Sequence, residues 1–450
     1  MRLSVGCAAM RVLALDVGSS SARVCPYDER GRDAGEAVRR TYSATHGRDG
    51  AAELDPNDLV RACEAVLDET GGGHDALAIS CFWHSLLLLD SHDRPLTPVL
   101  LWQDRRAAAR AEALATRLDP SEVHRRTGCF LHPSYWPAKL AWLKEAGQLA
   151  TAERIVSFAD YLFLRLTGEL RTTLSTASGS GLLELRARRW DPELLDLLGI
   201  DEERLPPIGD EPEGRTFPPV ADGACSNLGA GCVTCDRAAL MVGTSGALRV
   251  LYEGEPDPRP GLFCYLLDER RVLDGGAVSD GGNLYAWLER TLRLESTESR
   301  EPDAHGLTFL ALLGGERSPG WNPRATGAIA GLTFETDATD LFQAALEGAT
   351  YRLAEIADQL PETREVVATG HALLASPRWT QLCADVLGRP VTASGVPEGS
   401  ARGAAAYVLE RLGTEPEPAP LGRIYEPDPE RTEIYAAARE RQRQLYERLF

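Results

Sequence analysis

Two short apolar runs, each leading into a glycine turn rich in hydroxyls, organise the chain. Val12 to Leu15 is apolar and ends in Asp16; Gly18 follows with Ser19, Ser20 and Ser21, and a second strand-like run passes through Arg23, Val24 and Tyr27. Strand, polar glycine turn and strand make a β-hairpin. Leu240, Met241 and Val242 lead in the same way into Gly243, Thr244, Ser245 and Gly246, then into Ala247, Leu248, Arg249 and Val250. From Gly18 to Gly243 is 225 residues, half of the 450-residue chain. A device repeated at half length predicts two related domains facing each other, not a short-period solenoid, and the division is placed at 10–237 and 238–450.

Strand and helix patterns alternate around these hairpins. Residues 76–89 form an apolar run that predicts a buried strand with its continuation, and 99–102 a second short strand. Residues 105–118 predict an Ala/Arg-rich helix, 121–144 a helix holding Trp142 and Leu143, and 159–166 an apolar helix ended by Gly168. In the second half 344–360 predicts a long amphipathic helix, 366–369 a strand stopped by Gly370, and 379–387 a helix stopped by Gly388. A Pro-rich linker over 415–420 precedes a last charged helix over 429–449. The alternation in both halves predicts an α/β architecture.

Composition narrows the function. With 43% hydrophobic and 26% charged residues the chain folds as an ordinary soluble protein. Length alone suggests about three domains at roughly 150 residues each; the paired hairpins reduce that to two. A net charge of −19 with no dense basic run argues against a nucleic-acid or anionic-membrane partner. The run over 76–89 is bounded by Asp75 and Asp90 and is shorter than the ~18 to 20 residues of a membrane-spanning helix. Arg2 and then Cys7 resemble a lipoprotein cleavage box, but Arg11 cuts the apolar segment short, so the start reads as a cytoplasmic N-terminus. The ten cysteines are scattered, as cytosolic thiols are. Cys232 and Cys235 form a CxxC near Cys225, and without a second pair or a nearby His it reads as a turn, not a zinc site.

A glycine turn brings backbone N–H groups close to phosphate oxygens, and Ser or Thr hydroxyls add donors without bulk, so each hairpin can cradle part of a nucleotide's phosphate chain. Asp16 at the first strand's end is a hard oxygen ligand suited to Mg²⁺, directly or through water. Neither hairpin is a Walker loop, because no Gly-Lys-Ser/Thr follows.

The arrangement resembles the FGGY carbohydrate kinases, of the superfamily that includes actin and the heat-shock chaperones. The resemblance runs in order along nearly the whole chain: Asp16, Gly18, Ser19, Ser20, Ser21 and Arg23; Glu53 to Pro56; Trp83, His84 and Leu86 to Asp90; Trp102, Gln103, Asp104 and Arg106; Lys139 and Leu140; Asp160, Tyr161 and Leu162. It continues through Asp222 and Gly223, the second hairpin with Gly243, Thr244 and Ser245, His305 to Phe309, Gly315-Glu316-Arg317-Ser318-Pro319, and Ala384 to Val391, and ends in Glu398 and Gly403-Ala404-Ala405.

The resemblance implies two ribonuclease-H-like domains with ATP and Mg²⁺ in the cleft between them, and ATP-dependent phosphorylation of a hydroxyl on an open-chain sugar, sugar acid or polyol. Asp222 occupies the position of the base that takes the hydroxyl proton; its competing reading is a plain helix N-cap. Trp83 and His84 match the sugar-binding segment, against a satisfied core histidine; Gln103 and Asp104 suit hydroxyl binding, against surface capping by Asp104. Tyr135 and Trp136 are weaker candidates. Glu316 and Arg317 are expected to form an interdomain ion pair.

Two departures stand out. The stretch over 214–218 before Asp222 is shorter than in the family, and at the adenosine site Thr369-Gly370-His371-Ala372 replaces a glycine pair, so that His371 either stacks on adenine or crowds the nucleotide. Gluconate phosphorylated at its terminal hydroxyl is the first choice of substrate, with xylulose, ribulose and glycerol as alternatives. A catalytically impaired nucleotide- and sugar-binding protein is the reading from another class. A homodimer is left open.

Overall fold

Every residue of the strands Val12–Val17 and Ala76–Cys81 is buried, as parallel neighbours covered on both faces must be. In the computed structural model, which describes residues 10–293, 300–361 and 363–450, they pair with Asp16 opposite Ser80. The start with Arg2 and Cys7 lies outside the described residues. These strands are the centre of a five-stranded sheet in the order Val220–Ala221, Ala76–Cys81, Val12–Val17, Ser21–Tyr27, Val38–Thr41. The helix Pro56–Thr70 covers one face with Leu59, Val60, Cys63 and Val66. The helices Asp222–Gly229 and Gly399–Arg411 pack on each other and fill the other face with Ala224, Ala401, Ala404 and Ala405.

The second sheet repeats this plan. Its seven strands run in the order Phe263–Leu266, Arg271–Val278, Gly246–Glu253, Arg237–Val242, Glu365–Thr369, Val391–Ser394, Leu421–Tyr425. Across the inner five, two antiparallel pairings are followed by two parallel ones, the pattern met in the first sheet when it is read from Val38–Thr41. The duplicated core implied by the paired hairpins is therefore present, and the chain is a two-domain α/β protein. The long helix Ala338–Ala357 packs on the second sheet through Ala345, Leu346, Leu353 and Ile356. The helix Gly399–Arg411 follows most of the second sheet in sequence yet packs on the first, so the two halves are tied by more than the link at 230–236.

Several helices start on the same device. Asp55, Asp119, Asp191 and Asp428 each precede a proline and accept hydrogen bonds from the second and third amides of the helix that follows, so the side chain satisfies donors the helix cannot.

Three expected elements differ in the structure. The run over 76–89 is two strands, Ala76–Cys81 and Leu87–Leu89, because the chain turns at His84, whose φ is 65°; Leu87–Leu89 pairs instead with Arg154–Val156. The run over 121–144 is two helices, Pro120–Thr127 and Trp136–Glu145, the first closed by a left-handed Gly128 and the second opened by Pro137. After the Pro-rich linker comes an edge strand, Leu421–Tyr425, before the helix Pro429–Leu449. No helix among the described residues is long and apolar enough to cross a membrane.

Candidate functional site

The first hairpin is closed by the Gly18 amide, which donates to the Ser21 carbonyl at 2.9 Å, and is held from the side by the Tyr42 hydroxyl on the Gly18 carbonyl at 2.5 Å. Ser19 is half-buried, Ser20 exposed and Ser21 buried. Just before the turn, Asp16 is buried; its Oδ1 accepts from Ser80 Oγ at 2.7 Å and its Oδ2 from Arg23 Nε at 2.9 Å. Each oxygen keeps a lone pair for a cation or its water. Arg23 also pairs with Glu398, at the start of the helix Gly399–Arg411. It thus links the first hairpin to the second half of the chain.

At the second hairpin the Gly243 amide donates to Ser245 O at 3.0 Å, and the turn is backed by the start of the helix Gly282–Thr291, with Gly282 N on Gly243 O at 2.8 Å and Asn283 N on Thr244 O at 3.1 Å. Thr244 is exposed. Gly370 closes the same corner with φ 83°, and a Cβ there would stand 2.5 Å from Val242 O, so only glycine fits. His371 opens the short helix His371–Leu374 with its side chain exposed. Gly281 and Gly282 went unassigned in the sequence, although the glycine pair after Asp280 was a readable signal of close approach.

Asp222 is positioned by a parallel strand. Leu77 N bonds Arg215 O at 2.8 Å, Phe217 N bonds Leu77 O at 2.9 Å, and Val220–Ala221 then pairs with Ser80 and Cys81. The short stretch over 214–218 is thereby guided along Ala76–Cys81. Asp222 is the first residue of its helix; the N-cap is Ala221, with no side-chain cap, so the N-cap reading does not hold. Its Oδ1 accepts the neighbouring Gly223 amide at 2.8 Å, and the Trp83 backbone also donates to the carboxylate. Desolvation pushes the Asp222 carboxyl up to about 6, the Arg249 guanidinium pulls it down and Asp16 adds to the rise, a range in which a carboxylate exchanges its proton near neutral pH.

Trp83 and His84 lie at the end of Ala76–Cys81, facing Asp222. Trp83 Nε1 donates to Ser175 O at 2.8 Å and its ring meets Tyr265 at 4.8 Å. His84 is buried with Nδ1 2.6 Å from Gly179 O; a carbonyl there requires the proton on Nδ1 and leaves Nε2 as an acceptor. Burial, with Arg317 nearby, holds this histidine neutral. Behind it Lys139, fully buried and brought down by burial to about 7, donates to His84 O at 2.7 Å. Tyr135 shares a hydrogen bond of 2.7 Å with Tyr265, and Trp136 sits in the core with Nε1 on Ser85 O at 2.8 Å.

A cavity of about 200 Å³ opens beside this cluster, lined among others by Gln103, Asp104, His132, Ser134 and Arg317. Asp104 is buried, not a surface cap, and its carboxylate is committed to Arg106 at 2.5 Å and to the Ala52 amide at 3.2 Å. Gln103 is half-buried at the cavity wall. The expected Glu316–Arg317 pair does not form. Glu316 is buried against Arg352 and takes the Tyr446 hydroxyl at 2.6 Å, whereas Arg317 turns to the cavity and lies over the Trp102 ring, 4.6 Å from its centroid. His132 was not singled out in the sequence, and Arg249 and Lys139 were named there without a role at this site, since nothing local marks one. The cavity's rim joins the halves through Arg105 on Pro323 O at 3.1 Å and Arg324 on Glu112 at 3.3 Å.

Among the described residues, Asp303, His305 and Glu347 are the one cluster spaced like metal ligands. His305 Nδ1 accepts the Leu307 amide at 2.9 Å and Nε2 donates to Glu347 at 3.0 Å. With both ring nitrogens engaged, no lone pair remains for a metal, and the cluster is a structural tie. Cys232 is buried and Cys235 exposed, and neither belongs to such a cluster.

The sequence matches the FGGY family of carbohydrate kinases, N-terminal domain, over residues 11–219 and its C-terminal domain over 238–408. The chain belongs to the FGGY family of carbohydrate kinases. Gluconokinase from Bacillus subtilis is 27% identical over 89% of this chain and 88% of its own, and xylulose kinase from Escherichia coli 29% identical over 97% and 99%. Among solved structures, gluconate kinase and a ligand-bound xylulose kinase, both from Lactobacillus acidophilus, superpose with a TM-score of 0.89 over 98% of both chains, at 27% and 28% identity. For this FGGY kinase the comparisons give a sugar phosphotransferase, and the acceptor is the question they leave to the site.

Proposed function

We propose that this kinase transfers the γ-phosphoryl group of ATP to the terminal hydroxyl of an open-chain sugar or sugar acid, with gluconate as acceptor. The observation that carries the reading is Asp222: a half-buried carboxylate, free of capping duty, close enough to Asp16 beside the first glycine hairpin to be raised by its charge. Asp222 takes the acceptor proton as the phosphoryl group arrives. Amides and hydroxyls of Gly18 to Ser21 and Gly243 to Ser245 hold the phosphate chain, and Gly370 with His371 borders the adenosine. His84 Nε2 and Gln103 accept and donate to sugar hydroxyls beside the Trp83 ring, while Asp104 and Lys139 position that wall. Mg²⁺ arriving with the nucleotide neutralises phosphate charge, and the free lone pairs of Asp16 suit it. Closure of the cleft, with the halves divided near residue 237, keeps water from competing for the phosphoryl group. We place the enzyme in the cytoplasm, where ATP and sugar phosphates are held.

The likeness to gluconokinase and gluconate kinase supports gluconate; the likeness to xylulose kinases keeps xylulose as the second reading. A coupled ADP-release screen over gluconate, xylulose, ribulose and glycerol decides. The highest kcat/KM is expected with gluconate. Turnover of xylulose and none of gluconate would replace the acceptor, and no turnover of any acceptor by a protein that still binds ATP would mean a binding protein.

A further inference from the structure

Two buried arginines in this acidic chain form no ion pair among the described residues and have a single nearby carboxylate, Asp222, between them. Arg249 and Arg317 are 5% and 8% exposed. Arg352, equally buried, pairs with Glu316 and Glu355, and Arg402 gives to two main-chain carbonyls. Arg249 makes a single hydrogen bond, Nε to Asn227 Oδ1 at 3.3 Å, and its Nη2 has no partner. Among the described residues Arg317 lies on the face of Trp102 and its Nε has no hydrogen-bond partner. A guanidinium taken out of water without an acceptor costs several kcal/mol. Such groups are retained where a ligand supplies the missing negative charge.

Their positions say which ligand. Nη1 of Arg249 is 2.9 Å from where a Cβ on Gly223 would sit, beside Asp222 and Trp83. Arg317 lines the cavity with Gln103, His132 and Ser134, and its charge is felt at both His84 and Asp222. Arg317 faces the cavity, and Arg249 stands beside Asp222 close enough to feel the charge of Arg317, whereas the amides of the two glycine hairpins serve the phosphates. Resting on the kinase reading above, we infer that Arg249 and Arg317 together hold the carboxylate of the acceptor, so that the pocket is built for a sugar acid and against a neutral polyol of the same length. A neutral polyol leaves two buried guanidinium groups to share the one carboxylate of Asp222, and is rejected for that reason.

The test compares gluconate with glucitol, its uncharged counterpart, by calorimetry and by steady-state kinetics, in the wild type and in Arg249→Gln and Arg317→Gln. Each variant is first shown to melt cooperatively and to bind a non-hydrolysable ATP analogue. A charge-assisted hydrogen bond carries about 1.5–3 kcal/mol, so each substitution is expected to weaken gluconate roughly 10- to 150-fold, and to lower the ratio of kcat/KM for gluconate over glucitol. Arg317→Lys, which keeps the charge, is expected to recover part of the loss. Gluconate binding unchanged in either Gln variant overturns the assignment. So does weaker binding of the ATP analogue relative to ADP with gluconate unaffected, which would make the γ-phosphate the partner. If wild type turns over xylulose but does not bind gluconate, the carboxylate role falls and the kinase reading stands; because calorimetry needs no turnover, an inactive wild type that binds gluconate through both arginines would leave the carboxylate role standing and the kinase reading fallen.

Discussion

Trp83 packs so tightly on Gly223 that a Cβ built there would stand 2.4 Å from Trp83 Cζ3. The ring cannot step aside, because Nε1 is fixed on Ser175 O and the Tyr265 ring closes its other flank. Gly223→Ala must therefore displace the first turn of the helix and Asp222 with it. The expected outcome is a kcat/KM lower by roughly tenfold or more, a stability loss of about 1–3 kcal/mol in urea unfolding, and an unchanged affinity for an ATP analogue. A folded variant with wild-type kcat/KM would show that the tryptophan and the aspartate are not one unit.

Asp222→Asn removes the carboxylate proposed to take the acceptor proton and leaves the shape. Turnover should fall by roughly 10² to 10⁴-fold, with nucleotide binding retained. The wild-type pH profile follows from the desolvation of this carboxyl, which titrates at about 6: activity needs the ionised form, so kcat/KM should rise with pH through that value and level off above it. Residual activity of the Asn variant should lack the inflection. An inflection that survives the substitution belongs to another group.

The same substitution should stabilise the fold. The Asp222 carboxyl is raised from 3.8 to about 6 by folding, so between these values the folded chain holds a proton that the unfolded chain has lost. Stability contributed by the protonated form is complete below 3.8 and drains away as pH rises to 6, beyond which the ionised carboxylate is buried at a cost. Asn carries no such charge. Asp222→Asn is expected to melt higher than wild type at pH 8 and to lose that advantage at pH 4, as calorimetry at the two values would show.

The hairpins were legible because a Gly-Ser turn between apolar runs is local, and its repeat at half length needs no knowledge of contacts. The four Asp-Pro helix starts are local in the same way. The turn at His84 was not: after His84 and Ser85 the apolar run resumes with Leu86 to Leu89, and hydrophobicity does not register a backbone that turns to φ 65° at a histidine. The surroundings of Arg249 and Arg317 were not legible for a different reason. What marks them is the absence of partners in three dimensions, and Glu316, adjacent to Arg317 in sequence, spends its charge on Arg352, 36 residues away. Adjacent opposite charges in a sequence suggest a pair, but on neighbouring residues of an extended loop they point apart.

That distant pair predicts a purely structural defect. Glu316 is buried beneath Arg352 and Tyr446, joining the loop beside the cavity to the helices Ala338–Ala357 and Pro429–Leu449. Arg352→Met leaves the Glu316 carboxylate buried without its cation, an arrangement that costs about 3–5 kcal/mol. The variant should unfold at lower urea while KM for both substrates stays near wild type, and Glu316→Gln added to it should recover part of the stability. A loss of activity without loss of stability would place the pair in the reaction instead.

At the nucleotide end, Gly370 and His371 can be separated. A Cβ at Gly370 would meet Val242 O at 2.5 Å in a backbone at φ 83°, so Gly370→Ala pries apart the strand ends Val242 and Thr369 that carry the second hairpin. The affinity for an ATP analogue should weaken roughly tenfold or more, since a shift of even 1 Å is felt by groups aligned on phosphate, while gluconate binding by calorimetry stays within about twofold, because the acceptor wall at Trp83 and His84 stands on the other sheet. His371 is exposed beside that corner and free to lie against a base, so His371→Ala should weaken the analogue several-fold, the scale of one aromatic contact. Tighter binding in the alanine variant would instead mean that the imidazole crowds the adenosine, and would identify the departure from a glycine pair as a restraint on nucleotide affinity.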